Sequence, residues 1–219
     1  VCTVSGAGNV AIHCCEKLIQ VGAKPVTVSD SSGMIYDAEG IRLDMLKQVK
    51  EIERKPLTRY AELVSTATYT PVKSYPQGRN AVWSVPCFAA FPCATQNELN
   101  LADAETLLAN GCACVAEGAN MPATLDAVHA FIASGIAYGP AKAANAGGVS
   151  VSQLEMAQNA SMQRWTFEKV DNQLRHIMYD IHHNAAATAA EFGHAGNLVM
   201  GANIAGFRKV ADAMLALGL

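Results

Sequence analysis

The sequence contains few charged residues and no surplus of positive charge. Charged residues make up 16% of its 219 residues, and 16 Lys and Arg against 19 Asp and Glu give a net charge of -3. A protein that binds nucleic acid or an anionic membrane through electrostatics carries an excess of Lys and Arg. We therefore expect neither a nucleic acid nor a membrane as a partner.

Long apolar runs and paired cysteine motifs are also missing. The most apolar stretch, residues 210–219, is interrupted by Asp212 and falls short of the ~20 residues that cross a bilayer. The seven cysteines are an odd number, and none has the Cys-x-x-Cys spacing. This pattern favours free thiols in a reducing compartment, the cytoplasm, over a disulfide framework or a metal site. Val1 opens the chain without Met or a basic leader, so no targeting signal is predicted, and we expect the chain to be part of a longer one.

Hydrophobic residues make up 51% of the chain, which excludes intrinsic disorder. Short apolar runs predict strands at residues 1–5, 25–29, 87–91, 112–116 and 136–138. Helical spacing predicts helices at residues 9–21, 41–53, 59–65, 100–110 and 122–134, and again from 149 onwards with a last helix at 204–217. Residues 34–40 are expected to form a small ribbon and residues 69–79 a loop.

Strands that alternate with helices and are followed by a helical tail predict an α/β fold. We expect a doubly wound Rossmann-type sheet with a C-terminal helical extension. The predicted organisation is one dinucleotide-binding domain over residues 1–219, with a Rossmann core at 1–148 and the extension at 149–219.

The strongest local motif is a glycine-rich turn between the first strand and the first helix. Gly6, Gly8 and Ala11 form a G-x-G-x-x-A pattern. Gly6 permits the tight turn, Gly8 lets a pyrophosphate approach the backbone, and Ala11 allows the helix to pack closely on the strand. The free amides at the start of the helix favour bound phosphates. Asp30 follows 24 residues after Gly6, where a ribose contact is expected.

The residues around Asp30 leave the choice between NAD and NADP open. A carboxylate alone favours NAD, because it accepts the ribose 2′-hydroxyl and repels a 2′-phosphate. Ser31 adds a hydroxyl donor, and the nearby Arg54, Lys55 and Arg59 are either phosphate partners or ordinary solvated residues.

Polar residues follow three later strands, at the edge where a ligand crevice is expected. Thr95, Asn120 and Asn145 could hydrogen-bond a nicotinamide ribose and carboxamide without adding charge. Amides at such positions are equally often turn and cap residues, so the residues alone leave both readings open.

Six segments in this order closely resemble the cofactor domain of hexameric glutamate dehydrogenases. They are SGAGNVA from Ser5, SDSSG from Ser29, PCATQNEL from Pro92, AEGANMP from Ala116, KAANAGGV from Lys142 and LEMAQN from Leu154. The resemblance extends over essentially the whole chain. It implies the reversible oxidative deamination of L-glutamate to 2-oxoglutarate and ammonium, in a protein that assembles as a homo-hexamer.

The resemblance also implies roles for individual residues. Those implied to bind the cofactor are Gly6, Gly8, Asn9, Val10, Asp30, Ser31, Thr95, Asn120 and Asn145. Val149 and Ser152 match positions that touch the glutamate side chain. The SDSSG form resembles that of NADP-preferring members, so the resemblance favours NADP and makes Arg54, Lys55 and Arg59 candidate 2′-phosphate partners.

Two departures from the family pattern limit what this chain can do. Phe88 stands where members usually carry Asp shortly before PCATQNEL, which we expect to remove a hydrogen-bond acceptor near the nicotinamide ribose. The family's catalytic Lys and Asp belong to a preceding substrate domain that this chain lacks, so no catalytic residue is expected here. Two alternatives remain, namely a non-catalytic nucleotide-binding module and the cofactor domain of another amino-acid dehydrogenase.

Overall fold

Runs of small and β-branched apolar residues form the strands of a mixed α/β structure, which a computed structural model describes over residues Val1–Gly218. The strands are β1 (Cys2–Val4), β2 (Thr27–Asp30), β3 (Gly33–Tyr36), β4 (Thr68–Pro71), β5 (Ala89–Phe91), β6 (Cys114–Ala116) and β7 (Ala137–Gly139). The helices are α1 (Asn9–Gln20), α2 (Leu43–Lys47), α3 (Thr58–Leu63), α4 (Leu101–Ala109), α5 (Leu125–Ser134), α6 (Ala141–Ala144), α7 (Gly147–Ala160), α8 (Phe167–Glu191) and α9 (Leu198–Leu217).

The main sheet has the strand order β1-β5-β6-β7, with β1 parallel to β5 and β5 parallel to β6. Its strands read as unbroken apolar runs because parallel strands are covered on both faces. Backbone hydrogen bonds from Cys2 to Lys24 and from Val26 to Cys2 lay the start of β2 beside β1. The predicted Rossmann-type fold with a helical tail is therefore confirmed.

A second sheet was only partly predicted. The strands β2, β3 and β4 form an antiparallel sheet, in which Met34 faces Thr70 and Ile35 faces Tyr69. The expected ribbon is β3, but the predicted loop at residues 69–79 contains most of β4. The prolines and glycine of that segment predicted a loop, so the short edge strand was missed. Pro71 is tolerated there because it ends the strand.

Two predicted helices differ most from the observed ones in their bounds. The helix expected at residues 41–53 is the short α2, which continues as a π-helical turn over Gln48–Ile52. The last helix begins at Leu198 rather than at residue 204, because the Asn197 side chain accepts a hydrogen bond from the Met200 amide and caps it there.

The chain divides into two compact units. The first, here called the sheet unit, is Val1–Tyr138, and the second, the helical unit, starts at Gly139. The sheet unit thus ends before the boundary after residue 148 that the sequence suggested. No helix within Val1–Gly218 combines the length and the apolar character needed to cross a membrane.

Candidate functional site

The first glycine of the turn after β1 is required by its backbone conformation and by its neighbours. Gly6 has a φ of +84°, and a Cβ there would lie 2.8 Å from the Cys93 carbonyl oxygen. The Gly6 amide donates to the Ser29 hydroxyl over 2.9 Å, and the Ser29 amide donates to the Gly6 carbonyl over 3.0 Å. Any side chain at this position would strain the turn that joins β1 to α1.

The second glycine faces open space. Gly8 is the N-cap of α1, and no side chain caps that helix end. No described atom lies within 4 Å of the position that a Cβ at Gly8 would take. The first amides of a helix have no partner within the helix, so this end combines unpaired donors, a positive dipole and room for a ligand against the backbone.

A cleft of about 710 Å³ opens at this helix end, entirely within the sheet unit. Its size suits a small-molecule ligand or cofactor. The cleft is lined by Gly6, Ala7, Gly8, Asn9, Val10, Ser29, Asp30, Ser31, Lys50, Val72, Tyr75, Asn80, Cys93, Ala94, Thr95 and Glu98. Seven of the residues that the sequence singled out therefore line one cavity, namely Gly6, Gly8, Asn9, Val10, Asp30, Ser31 and Thr95.

Asp30 lies at the end of β2 with both carboxylate oxygens occupied. One oxygen accepts from the amide and hydroxyl of Ser32 over 2.9 and 2.6 Å, and the other accepts from the Leu57 amide over 2.9 Å and from the Lys50 ammonium over 3.2 Å. Burial alone would raise the pKa of this carboxyl, but these donors outweigh burial and hold the pKa below its usual value. Asp30 therefore remains ionised, with its charge compensated by its own neighbours.

Lys50 is a cleft residue that sequence reasoning missed. It lies in the π-helical turn after α2 and pairs with Asp30, its side chain 22% exposed. The cations that the sequence favoured point elsewhere: Lys55 and Arg59 both pair with Glu53, over 3.5 and 3.1 Å. Neither these two nor Arg54 is among the residues that line the cleft.

Glu98 is a second cleft residue that the sequence analysis did not single out. Its carboxylate accepts hydrogen bonds from the amides of Ala94 and Thr95, over 2.9 and 3.3 Å. Burial raises the pKa of this carboxyl despite those donors. Glu98 thus fixes the shape of the loop that carries Thr95. The carboxylate in the PCATQNEL segment was the available signal for it.

The loops that follow β5 and β6 are joined by backbone hydrogen bonds. The Pro92 carbonyl accepts from the amides of Gly118 and Ala119, both over 2.9 Å, and the Asn97 amide donates to the Met121 carbonyl over 3.0 Å. Asn120 lies in this second loop and is exposed, although it does not line the cleft. The carboxyl ends of the strands thus gather near one edge, as the sequence predicts for a doubly wound sheet.

The remaining candidates lie in the helical unit. Asn145 is the C-cap residue of α6 and is half-buried. Val149 and Ser152 lie one turn apart near the start of α7, with Val149 71% exposed. The Ser152 hydroxyl donates to the Gly148 carbonyl over 3.2 Å. Their roles toward cofactor and substrate stay predictions.

The expectation about Phe88 is wrong. Phe88 precedes β5, whereas Thr95 follows it, so the two residues lie at opposite ends of that strand. Its backbone joins neighbouring chain segments, with the amide donating to Val1 and the carbonyl accepting from Ala113. The side chain is 66% exposed. A residue in this place cannot orient a ribose bound beside Thr95.

Among the described residues, no group of three or more His, Cys, Asp and Glu is arranged to hold a metal ion.

Comparison with known proteins identifies close relatives. The profile of the Glutamate/Leucine/Phenylalanine/Valine dehydrogenase family matches residues 1–218. The NADP-specific glutamate dehydrogenase of Helicobacter pylori is 62% identical over 219 residues, which is 100% of this chain and 49% of that protein. The NADP-specific glutamate dehydrogenase of Escherichia coli is 48% identical over 217 residues, 99% of this chain and 47% of that protein.

Solved structures agree. The crystal structure of Plasmodium falciparum glutamate dehydrogenase superposes with a TM-score of 0.92 at 44% identity, covering 100% of this chain and 46% of that one. This chain spans about half the length of the curated relatives it matches.

Proposed function

Because this chain belongs to the glutamate/leucine/phenylalanine/valine dehydrogenase family, we propose that it is the dinucleotide-binding part of an NADP-dependent glutamate dehydrogenase. The complete enzyme would catalyse the reversible oxidative deamination of L-glutamate to 2-oxoglutarate and ammonium, as a homo-hexamer in the cytoplasm. The 219 residues contain no glycine-rich catalytic lysine motif, so we expect this chain to bind the cofactor without turning over glutamate.

The observation that carries the proposal is the open backbone at Gly8. A pyrophosphate needs close approach to main-chain amides, and Gly8 offers that approach at an uncapped helix N-terminus inside a cleft of suitable size. Gly6 maintains the turn that aims these amides into the cleft. The residues present therefore fit a bound dinucleotide.

The charges around Asp30 support NADP over NAD. A free carboxylate would repel a 2′-phosphate, but the negative charge of Asp30 is offset by Lys50 and by the amides of Ser32 and Leu57. Lys50 and the exposed Ser31 both line the cleft. We propose that the ammonium of Lys50 and the hydroxyl of Ser31 bind the 2′-phosphate, while Asp30 positions the lysine.

At the other end of the cofactor we propose that Thr95, Asn120 and Asn145 orient the nicotinamide. NADP supplies the hydride acceptor at its nicotinamide ring. The chain's own contribution would be to hold the ring and ribose through neutral hydrogen bonds, because uncharged partners leave the ring's charge change undisturbed. Val149 would contact the glutamate side chain, and Ser152 would donate a hydrogen bond to its distal carboxylate.

The pyrophosphate proposal is tested by titrating the chain with NADPH and following nicotinamide fluorescence. We expect saturable binding that Gly8→Ala weakens about tenfold or more, since the added methyl group occupies the pyrophosphate position. Gly206→Ala is the matched control, because it adds the same methyl group in open space within α9. Equal weakening by both variants, or binding that neither affects, would contradict the proposal.

Cofactor preference is tested with NADPH and NADH on a second pair of variants. Lys50→Met should weaken NADPH binding about tenfold and leave NADH binding nearly unchanged, because only NADPH carries the 2′-phosphate. Lys55→Met removes the same charge from a lysine that pairs with Glu53 outside the cleft. Equal affinities of the unaltered chain for both cofactors would remove the NADP assignment.

A further inference from the structure

The charged side chains of the candidate cleft do not all have a partner of opposite charge. Three of them line the cleft, namely Asp30, Lys50 and Glu98. Asp30 and Lys50 form an ion pair over 3.2 Å, so their charges offset each other. Glu98 forms no ion pair with any residue in Val1–Gly218. The cleft therefore keeps one negative charge that no cation offsets.

This charge and the ion pair lie on two sides of the glycine turn. The strand β1, which leads into that turn, has the start of β2 beside it on one side and pairs with β5 on the other. Asp30 ends β2, whereas Glu98 lies in the loop that follows β5 and carries Thr95. In the proposed binding mode Asp30 marks the adenosine end of the dinucleotide and Thr95 the nicotinamide end. The charge of Glu98 thus belongs to the nicotinamide end.

The Glu98 carboxylate is fixed in position by the backbone of its own loop. One of its oxygens accepts from the amide of Ala94 over 2.9 Å and from the amide of Thr95 over 3.3 Å. These donors are neutral, so they hold the carboxylate without cancelling its charge. A charge that is already in place when a ligand binds acts without the cost of reorganising the site.

We propose that Glu98 makes the cleft sensitive to the oxidation state of the cofactor, by strengthening the binding of NADP⁺ relative to that of NADPH. The inference rests on the proposed cofactor function. The nicotinamide ring of NADP⁺ carries one positive charge, and the ring of NADPH carries none. A carboxylate attracts only the charged ring, and this attraction is larger at a half-buried site than in bulk water. The partners proposed for the ring, Thr95, Asn120 and Asn145, are uncharged and do not discriminate in this way.

This preference gives the bound cofactor a chemical direction. Hydride transfer moves two electrons and one proton from the ring of NADPH to the substrate, and it leaves the ring of NADP⁺ with a positive charge. A site that stabilises that charge lowers the free energy of the oxidised cofactor, so bound NADPH becomes a stronger hydride donor. In the proposed reaction this favours the consumption of 2-oxoglutarate and ammonium.

The test measures the affinities of the 219-residue chain for NADP⁺ and NADPH by isothermal titration calorimetry at pH 8, where the Glu98 carboxyl is ionised. Glu98→Gln removes the charge but keeps a carbonyl oxygen that can accept from both loop amides. It should weaken NADP⁺ binding about fivefold relative to NADPH binding. Glu105→Gln removes the same charge from an exposed residue of α4 that does not line the cleft, and it should leave the ratio of the two affinities unchanged.

A ligand without the nicotinamide ring separates an effect of charge from an effect on loop shape. The 2′-phosphate derivative of ADP-ribose contains the rest of NADP⁺, so the unaltered chain and Glu98→Gln should bind it equally well. If Glu98→Gln weakened NADP⁺, NADPH and this compound alike, or left the ratio of NADP⁺ to NADPH affinity unchanged, the inference about Glu98 would be overturned and the proposed function would stand. An unaltered chain that binds neither cofactor would overturn the proposed function, and the inference with it.

Discussion

The sheet unit and the helical unit bury very different side chains. In the sheet unit the fully buried residues include Trp83, Tyr60, Phe131 and several Leu and Ile residues. Among the described residues of the helical unit, the buried ones include no large apolar side chain: they are Pro140, Ser150, Ala185, Thr188, Ala189 and Gly201. Its large apolar side chains are half-buried or exposed, as for Met162 at 96% and Phe167 at 79%.

The difference shows two ways of stabilising a chain. The sheet unit is held by burial of apolar surface, at roughly 25 cal/mol per Å². The helical unit depends on close approach of two helix backbones, since a Cβ at Gly201 in α9 would lie 1.9 Å from the Ala185 carbonyl oxygen in α8. Deleting buried apolar groups should therefore destabilise the sheet unit, and adding small groups between the helices should destabilise the helical unit.

Each unit contains one tryptophan that can report on it separately. Trp83 is fully buried in the sheet unit, and Trp165 is half-buried in the helical unit. In a Trp165→Phe background fluorescence follows the sheet unit, and in a Trp83→Phe background it follows the helical unit. The four predictions below use urea unfolding with these reporters.

The largest expected effect comes from removing a buried aromatic ring. Phe131 is fully buried and stacks on Tyr138 at 5.5 Å between ring centroids. Phe131→Ala should lower the free energy of unfolding of the sheet unit by about 3–5 kcal/mol. Met156 in the helical unit has a side chain that is 72% exposed. Met156→Ala should change the free energy of unfolding of the helical unit by less than about 0.5 kcal/mol. Similar losses of free energy of unfolding in the two variants would show that the two units do not differ in how they are stabilised.

The next effect comes from adding one methyl group between helices. Gly201→Ala should destabilise the helical unit by about 2–3 kcal/mol, because the new Cβ collides with the backbone of Ala185 and the Cβ of Ala189. Gly206→Ala in the same helix adds its methyl group in open space and should stabilise by about 0.5–1 kcal/mol. If both variants stabilised the helical unit, the close approach of α8 and α9 at Gly201 would not determine its stability.

A smaller effect depends on pH and is confined to the sheet unit. The pKa of Asp30 is lower in the folded chain than in the unfolded one, so its contribution to stability is present above the unfolded pKa of about 3.9. That contribution is lost as the pH falls through the folded pKa. Asp30→Asn should therefore lower the urea midpoint at pH 7 and flatten its fall below pH ~4.

The control for this prediction is Glu155→Gln, which removes one negative charge from the helical unit. It should leave the pH dependence of the sheet unit, followed by Trp83 fluorescence, as in the unaltered chain. If the urea midpoint of Asp30→Asn fell with pH in parallel with that of the unaltered chain, Asp30 would not be the carboxyl that stabilises the sheet unit.

The smallest effect tests a polar contact at the surface of the helical unit. The Lys169 ammonium lies 4.1 Å from the Trp165 ring centroid. Lys169→Gln should lower the free energy of unfolding of the helical unit by about 0.5–1 kcal/mol, because a cation over an indole ring contributes roughly that much. It should also change the Trp165 emission. Lys209→Gln, an exposed lysine of α9, should do neither.

Local features of the fold could be predicted from the sequence, and long-range ones could not. The glycine turn, α1 and the two strands beside it follow from residues that are neighbours in the chain. The edge strand β4 was missed because its identity depends on pairing with β3. The sequence offered Arg54, Lys55 and Arg59 as candidate 2′-phosphate partners. It did not predict Lys50, which lies in a π-helical turn and pairs with Asp30.

The sequence by itself determined that the chain is an α/β protein with a glycine-rich turn between its first strand and first helix, because strand runs, helical spacing and glycine conformation depend on adjacent residues. Only the tertiary structure decided that Lys50 neutralises Asp30, and that the amides of Gly118 and Ala119 after β6 donate to the Pro92 carbonyl after β5. Each of these contacts joins residues from different elements, and side-chain direction across such distances is set by packing rather than by local propensity.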